Sequence, residues 1–167
     1  NKPTFIISFD CEGKWGMIDH LSKEHSRLLS NERLNDAYSN LTDIMKLYDI
    51  KGTFAFVGAF TMTSEEFNNW DHFFTETLIK GKPWLRNFLL DAEKKNFDGW
   101  LNPKALDIIR SRKIHEVASH SFSHLPLAES SINIKMFLEE MNKMQQIANS
   151  KQLEISTFVY PRNMAGY

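Results

Sequence analysis

The sequence predicts an α/β fold in which parallel strands alternate with helices, and three observations carry that prediction. Short apolar runs recur between longer segments whose apolar residues repeat at helical spacing. Polar clusters sit directly after several of those runs, where turns are expected. At 167 residues, with 42% hydrophobic and 25% charged residues, the chain has the make-up of one folded domain, though it is short for a closed α/β barrel.

The elements follow in order. Phe5 to Phe9 reads as the first strand. A helix is expected from Asn35 to Tyr48, with Ala37, Leu41, Ile44, Met45 and Tyr48 on one side, and Asp49 to Gly52 stops it. Thr53 to Val57 is the second strand. A helical insertion spans Ser64 to Arg112, with starts at Ser64, at Pro83 and at Asn102-Pro103, the last an N-cap followed by proline. Lys113 to Ala118 is the third strand. Ser131 to Ser150 is a helix whose apolar side carries Ile134, Phe137, Leu138, Met141, Met144, Ile147 and Ala148. Ile155 to Tyr160 is the fourth strand, closed by Pro161-Arg162-Asn163. No repeat, low-complexity tract or linker interrupts residues 1–167, so one domain is expected.

Such alternation gives parallel pairing through right-handed crossovers, with ligands beyond the carboxyl ends of the strands. Three expected strands end in chemically useful clusters: Asp10-Cys11-Glu12, then Ser119 to His124, then Arg162-Asn163. His120 and His124 are the most informative pair, because neutral imidazole is a common transition-metal ligand. Two surface histidines beside a turn share that spacing; the acidic pair ending another strand is what turns the pattern toward a metal site. The reading requires His120, His124 and an early carboxylate to converge.

The remaining composition excludes several classes. A net charge of -1 and a pI near 6.7 advertise neither nucleic acid nor an anionic membrane as partner. No apolar run approaches the roughly 20 residues of a membrane-spanning helix, and no export signal is visible, so a cytoplasmic location is expected. The lone Cys11 permits no internal disulfide, and strand alternation points it into packing, as an inert thiol.

On these residues the sequence resembles the polysaccharide deacetylase family, the NodB-homology carbohydrate esterases. "SFDCEG" resembles the family's first motif, "SHSFSH" its His-Ser/Thr-x-x-His motif, "VYPRN" a variant of its Arg and Pro segment, and "KGTFAFVG" its second strand. The resemblance implies a distorted (β/α) barrel, here incomplete, with about four parallel strands and the helical insertion. It implies one divalent metal, zinc foremost, with Mn2+, Co2+, Ni2+ or Fe2+ as substitutes. It also implies removal of acetyl groups from N-acetylated or O-acetylated sugars of a polysaccharide, a lipopolysaccharide or a precursor. His120, His124 and Glu12 are then the ligands and Asp10 the general base, with exchange of the two carboxylate roles left open.

Arg162 is expected to pair with Asp10 and keep it ionised, although the family's Arg usually precedes the Pro. Trp15, Tyr160, Pro161 and Asn163 are expected to border the sugar. The family's later Asp and its apolar-His pair have no counterpart before Tyr167, so the first half of a longer domain is expected. His20, His25, His72 and His115 do not match that context; His115 is expected to be a hydrogen-bonded core residue. The serines of the histidine loop are expected to bond loop backbone. Two other functions stand beside the deacetylase: hydrolysis of a non-peptide C–N bond in a small amide, as in the allantoinase-like branch, and metal or carbohydrate binding without turnover.

Overall fold

A computed structural model of the chain describes residues 4–70, 83–127 and 132–164. Three short strands, β1 (Ser8–Cys11), β2 (Thr53–Phe56) and β3 (Glu116–Ser119), form a parallel sheet in the order β1-β2-β3. Ser8 pairs with Thr53 and Thr53 with Glu116, so the carboxyl ends of all three lie together. The first strand starts later than the apolar run that announced it: Phe5 and Ile6 lie ahead of the pairing and are 86% and 80% exposed. Alternation turns Cys11 into the core, fully buried, and leaves Asp10 on the open face.

Helices make the crossovers. A one-and-a-half-turn helix, α1 (Lys23–Leu28), went unread; it opens on Ser22, whose side chain accepts from the His25 N–H while His25 returns the bond. Helix α2 (Asn31–Leu47) starts ahead of Asn35 because Ser30 caps it, before the apolar stripe begins. In the insertion, residues 64–70 are helical, starting at Ser64 as expected, with Thr63 exchanging bonds of 2.7 and 3.1 Å with Glu66 just ahead of it. Pro83–Leu85 forms a 3-10 turn into α3 (Arg86–Glu93), and α4 (Pro103–Ser111) begins on its proline as expected. The rest of the expected insertion, residues 71–82, lies outside the described residues, as do residues 128–131 at the expected start of the last helix. That helix, α5 (Ile134–Ser150), opens on Asn133, which accepts from the Met136 N–H at 3.0 Å.

Aromatic packing locks the insertion to the sheet. Trp15, Phe88 and Trp100 are buried with ring centroids 4.6 to 5.4 Å apart. Such pairs add about 0.5–1.5 kcal/mol each beyond area burial.

The expected fourth strand contributes a single parallel bridge, Ser119 to Phe158, carried by Ser119 N–H to Thr157 C=O (2.9 Å) and Val159 N–H to Ser119 C=O (2.8 Å). Upstream of the bridge the Glu116 carboxylate takes the Thr157 hydroxyl at 2.5 Å and the Thr53 hydroxyl at 2.6 Å, linking the 155–160 segment to β2 and β3 through side chains. The sheet is therefore open, three strands plus one bridge among the described residues. No described helix is long and apolar enough to cross a membrane.

Candidate metal centre

The carboxyl ends of β1 and β3 meet at one point. Glu12 leaves β1 and places Oε2 3.2 Å from His120 Nε2 and 2.9 Å from His124 Nε2. Asp10 Oδ2 lies 3.8 Å from His120 Nε2, on the more exposed side. Glu12, His120 and His124 each offer a ligand atom, all within 4.8 Å of one another. The four residues that the sequence singled out for the centre are thus brought together.

The local chain explains why. His120 N–H still donates to Phe56 C=O at 2.8 Å, extending the sheet by one bond. Its Nδ1 lies 3.0 Å from the Val159 carbonyl, which accepts a hydrogen bond from Nδ1–H and leaves the Nε2 lone pair facing the carboxylates. The loop then turns through Ser121 and His124, both with left-handed backbone (φ 63 and 57), a path bulky residues rarely take. The β2 turn holds one side of that loop: Gly58 N–H donates to Ser121 C=O and Ala59 N–H to Phe122 C=O, each at 2.9 Å. A Cβ on Gly58 would lie 2.7 Å from Met144 Sδ and 3.0 Å from the Phe122 ring, so a side chain there would displace Met144 and crowd the loop. Gly16 plays a similar part for Glu12, whose carboxylate folds over the space where a side chain would sit.

Carboxylate and imidazole act on one another's charge here. Burial works against ionised Glu12, but His120 and then His124 outweigh it and hold the carboxyl down to about 2. Burial likewise opposes protonated His120, yet Glu12, the Asp10 charge and the Val159 carbonyl push its pKa above the ordinary value. Glu12 Oε2 and His120 Nε2 approach closely without hydrogen-bond geometry, and both are buried without a hydrogen-bond partner, as is His124 Nδ1. Burying such atoms unpaired is costly. One carboxylate oxygen and two imidazoles form a donor set that fits a divalent transition metal.

Several expected roles are corrected by placement. Arg162 pairs with Asp19, on the loop after β1, and not with Asp10. Trp15 is fully buried, donates its indole N–H to Trp100 C=O at 2.8 Å and packs on Phe88, so it cannot offer a face to sugar. Pro161 is also buried and shapes the loop from within. Tyr160 is 48% exposed, edge-on to Phe158, and Asn163 is exposed; both remain accessible. His115 lies ahead of β3, away from the cluster, with neither ring nitrogen hydrogen-bonded and its ring edge-on to Phe54. Of the three serines expected to bond loop backbone only Ser121 does, its Oγ accepting from Leu125 N–H at 3.2 Å; Ser123 Oγ turns to Glu140 and Ser119 Oγ is buried without a hydrogen bond. Cys11 is buried, and burial pushes its thiol far up.

Glu140 is the residue sequence reasoning missed. It projects from the buried face of α5 and accepts from the Phe122 and Ser123 N–H groups at 3.0 and 2.8 Å and from the Ser123 hydroxyl at 2.5 Å. Its signal was available: a charged residue in register with Phe137, Met144 and Ile147 on an otherwise apolar stripe.

A parallel sheet bearing a two-histidine, one-carboxylate cluster at the carboxyl ends of its strands defines an α/β protein with a donor set suited to metal. A polysaccharide deacetylase family model matches residues 23–163. The chain belongs to that family, which supports a hydrolase acting on acetylated carbohydrates. Asp10 and Glu12 precede the matched residues, so their part rests on geometry. Neither a search of curated proteins nor one of solved structures found a match.

Proposed function

We propose that this chain carries the metal-binding part of the catalytic domain of a divalent-metal-dependent deacetylase that removes acetyl groups from N-acetylated or O-acetylated sugars. The supporting observation is the convergence of Glu12, His120 and His124 within 4.8 Å, with Asp10 beside them on the open side. These three hold the metal, zinc foremost. Bound there, it supplies Lewis acidity, of the kind that lowers the pKa of water from 15.7 to about 7.

The remaining work belongs to the chain. Val159 keeps the His120 proton on Nδ1, so that Nε2 stays a ligand. Glu12 stays anionic and matches the cation's charge. Asp10, 40% exposed and outside the tight ligand cluster, is placed to accept a proton from the attacking water. Arg162 fastens the 160–163 loop to Asp19, which leaves Tyr160 and Asn163 at the rim for sugar hydroxyls.

Acetate release from an acetylated oligosaccharide, measured with and without chelator, tests the reading. Loss on chelation, restoration by Zn2+, and loss in Asp10→Asn with metal retained are expected. Chelator-insensitive release refutes the metal; zinc uptake with no release by a full-length protein favours a binding domain.

A further inference from the structure

We propose that Glu140 is the positioning residue of this centre: its buried carboxylate holds the His120–His124 loop in the path that aims both imidazoles at Glu12. The assignment rests on the metal-centre reading above and adds to it a residue from a helix that contributes no ligand.

Three facts converge on it. Glu140 is only 3% exposed, and a carboxylate so deep is stable only where donors meet it. The donors it meets are the backbone N–H groups of Phe122 and Ser123 and the Ser123 hydroxyl, the residues between the two histidines. That same stretch carries left-handed backbone at Ser121 and at His124 itself, a conformation that persists only when its surroundings impose it.

The two sides of the loop are held differently. On the sheet side, Gly58 and Ala59 N–H groups take the carbonyls of Ser121 and Phe122. On the helix side, Glu140 takes the N–H groups of Phe122 and Ser123. The peptide between Phe122 and Ser123 is thus fixed from below by a charge-assisted bond, and His124 follows directly after it. Removing the carboxylate leaves two buried N–H donors without that acceptor, and the turn must rearrange to find others. His120 keeps its Phe56 and Val159 bonds, so the imidazole expected to move is His124.

A simple core role predicts something else, namely lost stability with an intact centre. Zinc affinity, measured by competition with a chromophoric chelator, separates the two. Glu140→Ala is compared with Ile147→Ala, a cavity on the same buried face of α5 and 2% exposed. Partners behind metal ligands typically govern affinity about 10–100-fold. The expected result is at least about tenfold weaker zinc binding in Glu140→Ala, with Ile147→Ala at wild-type affinity despite its lower melting temperature. Glu140→Gln, with one carbonyl left to serve the loop's donors, is expected in between, and it carries the test if the alanine variant does not fold. Wild-type affinity in the glutamine and alanine variants overturns the assignment and leaves the centre standing. A wild-type chain that takes up no zinc overturns the centre, and the assignment with it.

Discussion

Replacing Gly16 with alanine is expected to uncouple metal binding from folding. A Cβ at this position would lie 1.9 Å from Glu12 Oε1, 2.4 Å from its Cδ and 3.0 Å from its Cγ, where ordinary contact begins at 3.4 Å. The carboxylate must therefore retreat by roughly 1.5 Å, against a tolerance of about 0.2 Å for a metal–ligand bond. Nothing else need move, since the clashing atoms belong to the end of one flexible side chain. Gly16 has no left-handed backbone to protect, so alanine should leave stability unchanged or raise it by about 0.4–1 kcal/mol through the unfolded chain. Zinc affinity should fall about 100-fold or more, because a ligand itself is displaced; that is about 2.7 kcal/mol. Chelator competition reads the affinity and thermal unfolding of the metal-free protein reads the stability. Unchanged zinc affinity in a folded Gly16→Ala protein would show that Glu12 is not a ligand.

Three other perturbations probe separate parts of the account. Trp15→Ala should cost about 3–5 kcal/mol in chemical denaturation, as a buried aromatic does, whereas a sugar platform would raise KM with little loss of stability. Glu66 is held below its ordinary pKa of 4.5; burial opposes this, but Thr63 and Lys151 outweigh it. The folded state thus binds that proton less readily than the unfolded one, so the contribution is full above pH 4.5 and fades as pH falls through the lowered folded value. The melting-temperature gap between wild type and Glu66→Gln should accordingly be present at pH 7 and shrink in acid; a gap constant to pH 3 contradicts the pairing. Cys11 should resist a thiol reagent in native buffer and react stoichiometrically in denaturant, and rapid native labelling would deny its burial.

Where side-chain periodicity governed structure, the sequence was readable. The existence of α2 and α5, the proline opening α4 and the parallel pairing of three strands all follow from residue pattern. The expected faces hold only in part: α2 buries Tyr38, Thr42 and Met45 while Ala37, Ile44 and Tyr48 are exposed, and in α5 Met144, Ile147 and Ala148 are buried while Ile134 and Leu138 are exposed. Boundaries were less readable because caps and pairing, not hydrophobicity, decide them: Ser30 moves the start of α2 ahead of Asn35, and Phe5 and Ile6 are apolar but precede the ladder. The fourth strand pairs only at Ser119 and Phe158, and nothing in its alternating apolar pattern distinguishes one bridge from a full ladder. Within the site, His120, His124, Glu12 and Asp10 were legible because two chain segments ended independently in ligand-type residues. Trp15 misled because a loop position in the sequence says nothing of Phe88 and Trp100 arriving from the insertion to bury it. Arg162 misled because Asp19, 143 residues away along the chain, comes within reach of its guanidinium only in the fold. Glu140 was overlooked because its role depends on a loop near in space and remote in pattern.

The central claim is that one cation sits among Glu12, His120 and His124. X-ray absorption at the zinc edge, on protein loaded with one equivalent and on His120→Ala and His124→Ala, tests it most directly. The account predicts two imidazole nitrogens at about 2.0–2.1 Å and a carboxylate oxygen at about 2.0–2.2 Å, with one imidazole lost in each variant. An unaltered two-imidazole spectrum in either variant, or zinc bound without any imidazole, contradicts it.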